Sequence, residues 1–170
     1  WPKDFTFVCP TEIVAFDKLA RQFEERDAVL LGGSTDNEFS KLGWRREHKD
    51  LNKLRHWSFG DSNGSLVDML GVRDPAAGVA LRATFIVDPD NVIQHVTING
   101  LNVGRNPQET LRVLDALQTD ELCPCNWKKG EARMSGVTVT LVDADHMKQE
   151  WISEDGGKSE SMTMEFVRKK

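Results

Sequence analysis

Cys9 is the residue of this chain best equipped to act as a nucleophile. It stands in Pro2-Lys3-Asp4-Phe5-Thr6-Phe7-Val8-Cys9-Pro10-Thr11-Glu12, directly before a run with helical spacing. In that run Ile13, Phe16, Ala20 and Phe23 recur at intervals of three, four and three. Thr11 reads as the N-cap and Pro10 as the start of the helix. A free thiol with a pKa near ~8.5 is only about 3% thiolate at pH 7, and the thiolate is the nucleophile. A helix N-terminus offers unpaired N–H groups and a partial positive charge, both of which stabilise an anion. Thr6, three residues earlier, brings a hydroxyl that can donate to the thiolate or to an oxygen approaching it. An isolated cysteine is more often a small buried hydrophobe. The residues around it have to decide.

Two further thiols, Cys123 and Cys125, lie close together in Leu122-Cys123-Pro124-Cys125-Asn126-Trp127. With the remote Cys9 and the scattered His48, His56, His95 and His146 they make no zinc-ligand spacing, so no metal is expected. Cys9 is followed by Pro10-Thr11-Glu12, not by a second cysteine at the C-x-x-C distance, which argues against a disulfide oxidoreductase. There is no Gly-rich phosphate loop and no nucleotide or haem motif, so no cofactor is expected.

The elements that must position these residues read as alternating helix and strand, an α/β pattern. One helix runs over 11–25. Ala28–Gly32 reads as a short buried strand, with Asp36 as cap of a helix over 37–49 whose apolar face holds Phe39 and Leu42. Ser58–Asp61 is a short strand, and Ser65–Leu70 a brief helix closed by Gly71. Ala83–Val87 and Val92–Val96, joined by Pro89-Asp90-Asn91, form a hairpin. Asn106-Pro107-Gln108-Glu109 opens a helix, with Asn as N-cap, Pro at N1 and Glu at N3. Leu111, Leu114 and Leu117 give that helix its apolar face. Beyond about Arg133 the pattern changes to alternation. Val137, Val139 and Leu141, then Met147, Gln149 and Trp151, then Met162, Met164 and Phe166 read as a three-stranded antiparallel meander, with a turn at Asp155-Gly156-Gly157.

At 170 residues, with 39% hydrophobic and 29% charged residues, the chain has the material for one domain with a real core. A net charge of −5 without a basic stripe argues against nucleic acid as a partner. No run reaches the 18 or so apolar residues of a membrane span, and no signal peptide is visible. The chain begins at Trp1 rather than Met. Three cysteines, an odd number, suit a reducing compartment better than a secreted disulfide framework, so a cytoplasmic location is expected.

Taken together the motifs resemble the peroxiredoxins. Pro2-x-x-x-Thr6-x-x-Cys9 matches the active-site motif of that family, and its extended form is similar to the alkyl hydroperoxide reductase C group of the typical two-cysteine class. Gly32–Asp36, Arg82–Pro89, Gly104-Arg105-Asn106 and Cys123–Lys128 follow in family order, so that the resemblance covers about residues 1–130. It implies a thioredoxin-like fold and a thiol peroxidase that reduces hydrogen peroxide and organic hydroperoxides. Cys9 would be the peroxidatic cysteine, Thr6 would orient the peroxide, and Pro2 would shield the pocket. Arg82 would stabilise the thiolate and the departing oxygen. Glu12 and Arg105 would hold that arginine in place, although the residues alone read nearly as readily as an exposed helix-end Glu and a loop Arg. Cys123 would resolve the sulfenic acid of a partner subunit as an intersubunit disulfide, with Cys125 able to substitute for it or exchange with it. The implied partners are a thioredoxin-like, flavoprotein or adaptor disulfide reductase and further copies of the chain, as a homodimer assembling into a ring. A non-enzymatic chaperone or scaffold oligomer is the alternative. The absence of a Gly-Gly-Leu-Gly segment and of a C-terminal Tyr-Phe pair implies relative resistance to overoxidation.

Two departures from the family stand out. The family's hydrophobic strand ahead of the Trp-Pro-Lys-Asp segment is missing here, and the strand near 28–32 would lose its neighbour. The segment from 133 onward does not resemble the usual C-terminal arm. It reads either as a lineage-specific extension or as a segment of foreign origin. The expected organisation is therefore a peroxiredoxin domain over 1–132, incomplete at its N-terminus, and a β-meander tail over 133–170.

Overall fold

The computed structural model describes residues 1–155 and 158–168. The chain divides into two compact units, Trp1–Leu111 and Arg112–Lys170.

The first unit opens on an extended segment that leads into α1 (Cys9–Lys18). This helix starts earlier than its sequence suggests. The Val8 carbonyl accepts from the backbone N–H of both Thr11 and Glu12, so Val8 is the cap and Cys9 is the first helical residue. Pro10 fits inside the first turn, where no N–H is needed. The Thr11 hydroxyl donates to the Val8 carbonyl at 2.7 Å instead of capping the helix. The helix over 11–25 is also broken at Leu19 into α1 and α2 (Ala20–Glu24). Asp27 is left-handed (φ 53°), and the Ala28 N–H donates to the Phe23 carbonyl, a closing pattern typical of helix C-termini. That turn consumes the residues expected to begin a strand, so β1 spans Leu31–Ser34 rather than 28–32.

α3 (Glu38–Glu47) is capped by Asn37, whose side chain accepts from the Ser40 N–H at 2.8 Å, and not by Asp36. With this phase the helix buries Lys41 and Trp44, while Phe39 is 73% exposed. A 3-10 turn at Leu51–Lys53 leads to β2 (Trp57–Gly60), which pairs in parallel with β1. Gly60 is required there, since a Cβ at this position would lie 2.6 Å from the Asp36 carbonyl. α4 (Ser65–Met69) is followed by the antiparallel hairpin β3 (Arg82–Val87) and β4 (Ile93–Asn99), with a bulge at Ile86/Val87. Among the described residues β1 and β2 pair only with each other, as do β3 and β4. One core cluster joins Trp1, Cys9, Ile13, Trp44 and Leu51; another joins Val67, Val72 and Ala80.

α5 (Pro107–Leu117) begins as its sequence dictates: the Asn106 side chain accepts from the N–H groups of Gln108 and Glu109. The second unit continues through the Cys123–Cys125 segment into the meander of β5 (Arg133–Leu141), β6 (His146–Asp155) and β7 (Lys158–Val167). Its register lines up Val137 with Trp151 and Met162, Val139 with Gln149 and Met164, and Leu141 with Met147 and Phe166. Strand alternation places these nine residues on one face and Thr138, Thr140, Lys148, Glu150, Thr163 and Glu165 on the other. The expected turn at Asp155-Gly156-Gly157 includes Gly156 and Gly157, which lie outside the described residues.

Candidate active site

Cys9 sits in the first turn of α1 and is 1% exposed. Arg82, the first residue of β3, donates from Nη1 to the Cys9 Sγ at 3.4 Å. The same Nη1 lies 2.5 Å from Glu12 Oε2, and Arg82 Nε donates to the Leu101 carbonyl at 2.7 Å. Both ends of the guanidinium are therefore held, and the nitrogen facing the sulfur has a fixed place.

Glu12 lies one helical turn after Cys9. Its Oε1 accepts from the backbone N–H of Arg105 at 2.8 Å and from Arg105 Nε at 3.0 Å. Arg105 Nη1 donates to the Ala83 carbonyl at 2.8 Å, and its guanidinium lies 5.3 Å from the Phe16 ring centre. Glu12 is 4% exposed and Arg82 5%. The reading of Glu12 as an exposed helix-end residue is thus corrected: it is the buried anion between two cations. Burial alone pushes its carboxyl upward, but the charge and hydrogen bonds of Arg105, with the charge of Arg82, outweigh this and hold it below the ordinary value. Arg82 stays charged: burial opposes its charge, while the bond to Cys9 and the charges of Glu12 and Cys9 favour it.

Chemically, the arrangement sets a thiol against a permanent cation at a helix N-terminus. A cation placed there can stabilise negative charge on an oxygen that leaves the site.

Pro2 is buried, and Thr6 is half-buried. The Thr6 hydroxyl does not donate to the sulfur; it donates to the Lys3 carbonyl at 3.0 Å. Its oxygen is left as an acceptor, the polarity a hydroperoxide O–H requires. Cys123 is half-buried, with Thr119 Oγ1 at 3.4 Å from its sulfur, and Cys125 is exposed. All three cysteines are free. No cluster of metal-ligand residues occurs among the described residues. Nor is any described helix long and apolar enough to cross a membrane.

Sequence reasoning missed one group beside this site. Asp4, Ser34 and Lys41 are buried and bonded to one another. A lysine on an amphipathic helix is read as solvated, and only the phase fixed by the Asn37 cap could have turned it inward.

The AhpC/TSA family matches residues 1–96. Alkyl hydroperoxide reductase C of Mycolicibacterium smegmatis is 59% identical over 131 residues, covering 77% of this chain and 67% of that protein. Its counterpart from Mycobacterium tuberculosis is 57% identical with the same coverage. Among solved structures, Mycobacterium tuberculosis AhpC superposes with a TM-score of 0.68 at 55% identity, over 75% of this chain and 71% of that one. Reduced Plasmodium vivax 2-Cys peroxiredoxin gives a TM-score of 0.76 at 36% identity, over 79% and 72%. The motifs that link Cys9, Glu12, Arg82 and Arg105, the geometry that joins them, and these likenesses agree: the chain belongs to the AhpC/TSA family of peroxiredoxins.

Proposed function

We propose that this chain is a thiol peroxidase that reduces hydrogen peroxide and organic hydroperoxides through Cys9. The observation that carries the reading is the position of Arg82 Nη1, 3.4 Å from the Cys9 sulfur and held there by Glu12. The relatives named alkyl hydroperoxide reductase and peroxiredoxin support the same activity.

The Cys9 thiolate attacks the terminal peroxide oxygen in line with the O–O bond. The S–O bond forms as the O–O bond breaks, and the alkoxide or hydroxide leaves and takes a proton. Arg82 stabilises the charge on that departing oxygen, and Thr6 accepts from the peroxide O–H. Pro2 helps to keep water out. Cys9 is left as the sulfenic acid. The Cys123 thiolate of a second chain then attacks that sulfur, hydroxide leaves and takes a proton to become water, and an intersubunit disulfide forms. Cys125 is the alternative nucleophile. A dithiol reductant, from a thioredoxin-like, flavoprotein or adaptor disulfide reductase, returns both thiols. The assembly is a homodimer that builds a ring. Free thiols suit a reducing compartment, and the cytoplasm is the place we assign.

Peroxide consumption driven by dithiothreitol is the direct test. Steady turnover by the parent chain, absent in Cys9→Ser, is the expected result. Turnover that persists in Cys9→Ser would overturn the reading.

A further inference from the structure

Phe5, next to Asp4 in the segment before Cys9, has φ 55°. A left-handed backbone is unusual for a bulky side chain and carries strain of order 1 kcal/mol or more unless the surroundings enforce it. Two contacts do so. The Phe5 ring lies 5.8 Å from that of Trp44. On the other side Asp4 is locked into a buried polar cluster. Its backbone N–H donates to Asp36 Oδ2 at 2.8 Å, and its Oδ1 accepts from Trp1 Nε1 at 2.7 Å.

Lys41 is the centre of that cluster and is 6% exposed. Its ammonium donates to Ser34 Oγ at 2.5 Å and reaches the Asp4 carboxylate at 3.3 and 3.4 Å. The Ser34 hydroxyl donates its own proton to Asp36 Oδ2 at 2.7 Å. The ammonium also lies 4.6 Å from the centre of the Trp1 ring, and Trp1 packs in the same core cluster as Cys9. A lone buried ammonium is costly, so this one is retained only with its partners in place. Burial lowers its proton affinity, while Asp4 and Asp36 oppose that change.

We propose that Lys41 is a positioning residue for the peroxide step: by anchoring Asp4 it holds the strained Lys3–Thr6 turn in the shape that presents the Thr6 oxygen to a peroxide bound at Cys9. The inference rests on the peroxidase reading above. The link from cluster to site is short. Lys3 and Asp4 are adjacent, and the Lys3 carbonyl accepts from the Thr6 hydroxyl. Freed from Lys41, Asp4 would turn toward water and Phe5 would relax out of the left-handed region. The Thr6 oxygen would then leave its place. Cys9 and Arg82 belong to α1 and β3 and would stay where they are.

The test uses the full chain and compares two reactions of Cys9, each followed by mass spectrometry of the Cys9 peptide. Oxidation by hydrogen peroxide needs the Thr6 oxygen; alkylation by iodoacetamide needs only the thiolate. Lys41→Met, which keeps the stem without the charge, is expected to slow oxidation about tenfold to a hundredfold, the usual cost of misplacing a reacting group. Alkylation should change less than about twofold, and Lys41→Arg should recover much of the oxidation rate, since it keeps the charge and the donors. Asp4→Asn, of the same shape, gives a second measurement if Lys41→Met does not fold, and the same split is expected. Equal losses in both reactions, or no loss in either, would overturn the role of Lys41. A parent chain whose Cys9 resists peroxide would overturn the peroxidase reading instead, before any variant is compared.

Discussion

The Glu12 carboxylate and Arg105 meet twice, through the backbone N–H at 2.8 Å and through Nε at 3.0 Å, so Arg105 both faces and clasps the same oxygen. The other oxygen of Glu12 faces Arg82. The position of the cation beside the sulfur thus depends on a carboxylate that never touches it.

Glu12→Gln should therefore act through Arg82. The amide can accept from only one arginine and would present its NH2 to the other. We expect peroxide turnover to fall about tenfold to a hundredfold, comparable to loss of one oxyanion donor. Stability should fall by about 3 kcal/mol, as for other broken buried ion pairs. Stopped-flow oxidation kinetics and urea unfolding of the variant check both. Arg82→Ala should slow the peroxide step at least as much, and unchanged kinetics would remove Arg82 from the site.

Peroxide treatment should give a disulfide-linked dimer on a non-reducing gel. Cys123→Ser should remove most of it, with Cys125 supplying any remainder. Local opening of the segment around Cys123 is needed first, a low-cost motion for a half-buried loop. A dimer that survives in the double Cys123→Ser/Cys125→Ser variant would exclude the resolving role.

The stability of the fold should decline as the solution is acidified, in two stages. His56 is buried against Asp17, which it meets at 2.9 Å, yet burial outweighs the carboxylate and lowers its pKa from 6.5. The folded state therefore prefers the neutral ring, while the unfolded chain takes up a proton below 6.5, and stability falls with pH from there down to the folded value. Glu12 contributes the second stage: its stabilisation is present above about 4.5 and is lost as pH falls through its lower folded value. Urea midpoints measured from pH 8 to 4 should trace this decline. His56→Gln should flatten it just below pH 6.5, and an unchanged slope there would exclude His56 as a contributor.

Truncation after Gly130 should leave the peroxide step at Cys9 intact. None of the residues placed around Cys9 lies beyond that point. The resolving step should respond differently. The Met134 N–H donates to the Leu122 carbonyl at 2.8 Å, and Arg133 pairs with Glu121, so β5 begins by gripping the residues that precede Cys123. Without that grip the Cys123 segment opens more readily, and the dimer should form faster. Loss of Cys9 reactivity in a folded truncation would contradict this assignment of the tail.

Much of the fold is legible because it is written locally. The Asn106 side chain caps α5 as its position before Pro107 implies, and the alternation from Val137 to Phe166 becomes three paired strands. Family motifs supply what local pattern cannot, since nothing near Arg82 in the sequence points to a cysteine 73 residues away. The errors have physical causes. Residue type favours Thr11 as cap of the first helix, but the cap is Val8, three residues sooner, and the Thr11 hydroxyl turns back to the Val8 carbonyl. Apolar character alone would put Phe39 and Leu42 inside. The Asn37 cap rotates the helix so that Lys41 and Trp44 face inward. A buried lysine is invisible to hydrophobic periodicity, and its partners Asp4, Ser34 and Asp36 are joined to it only by the fold.

The bonds that surround Cys9 are long-range ones. Arg82 is 73 residues from the thiol, and Arg105 is 93 residues from the carboxylate that steadies it. Closing such loops is entropically costly and comes late in folding. During synthesis the first helix leaves the ribosome well before the β3 arginine exists. For that interval Cys9 has no arginine beside it. On the reading proposed above, peroxide chemistry at Cys9 would arrive only with the native topology, and a chain that stalls or misfolds would lack it.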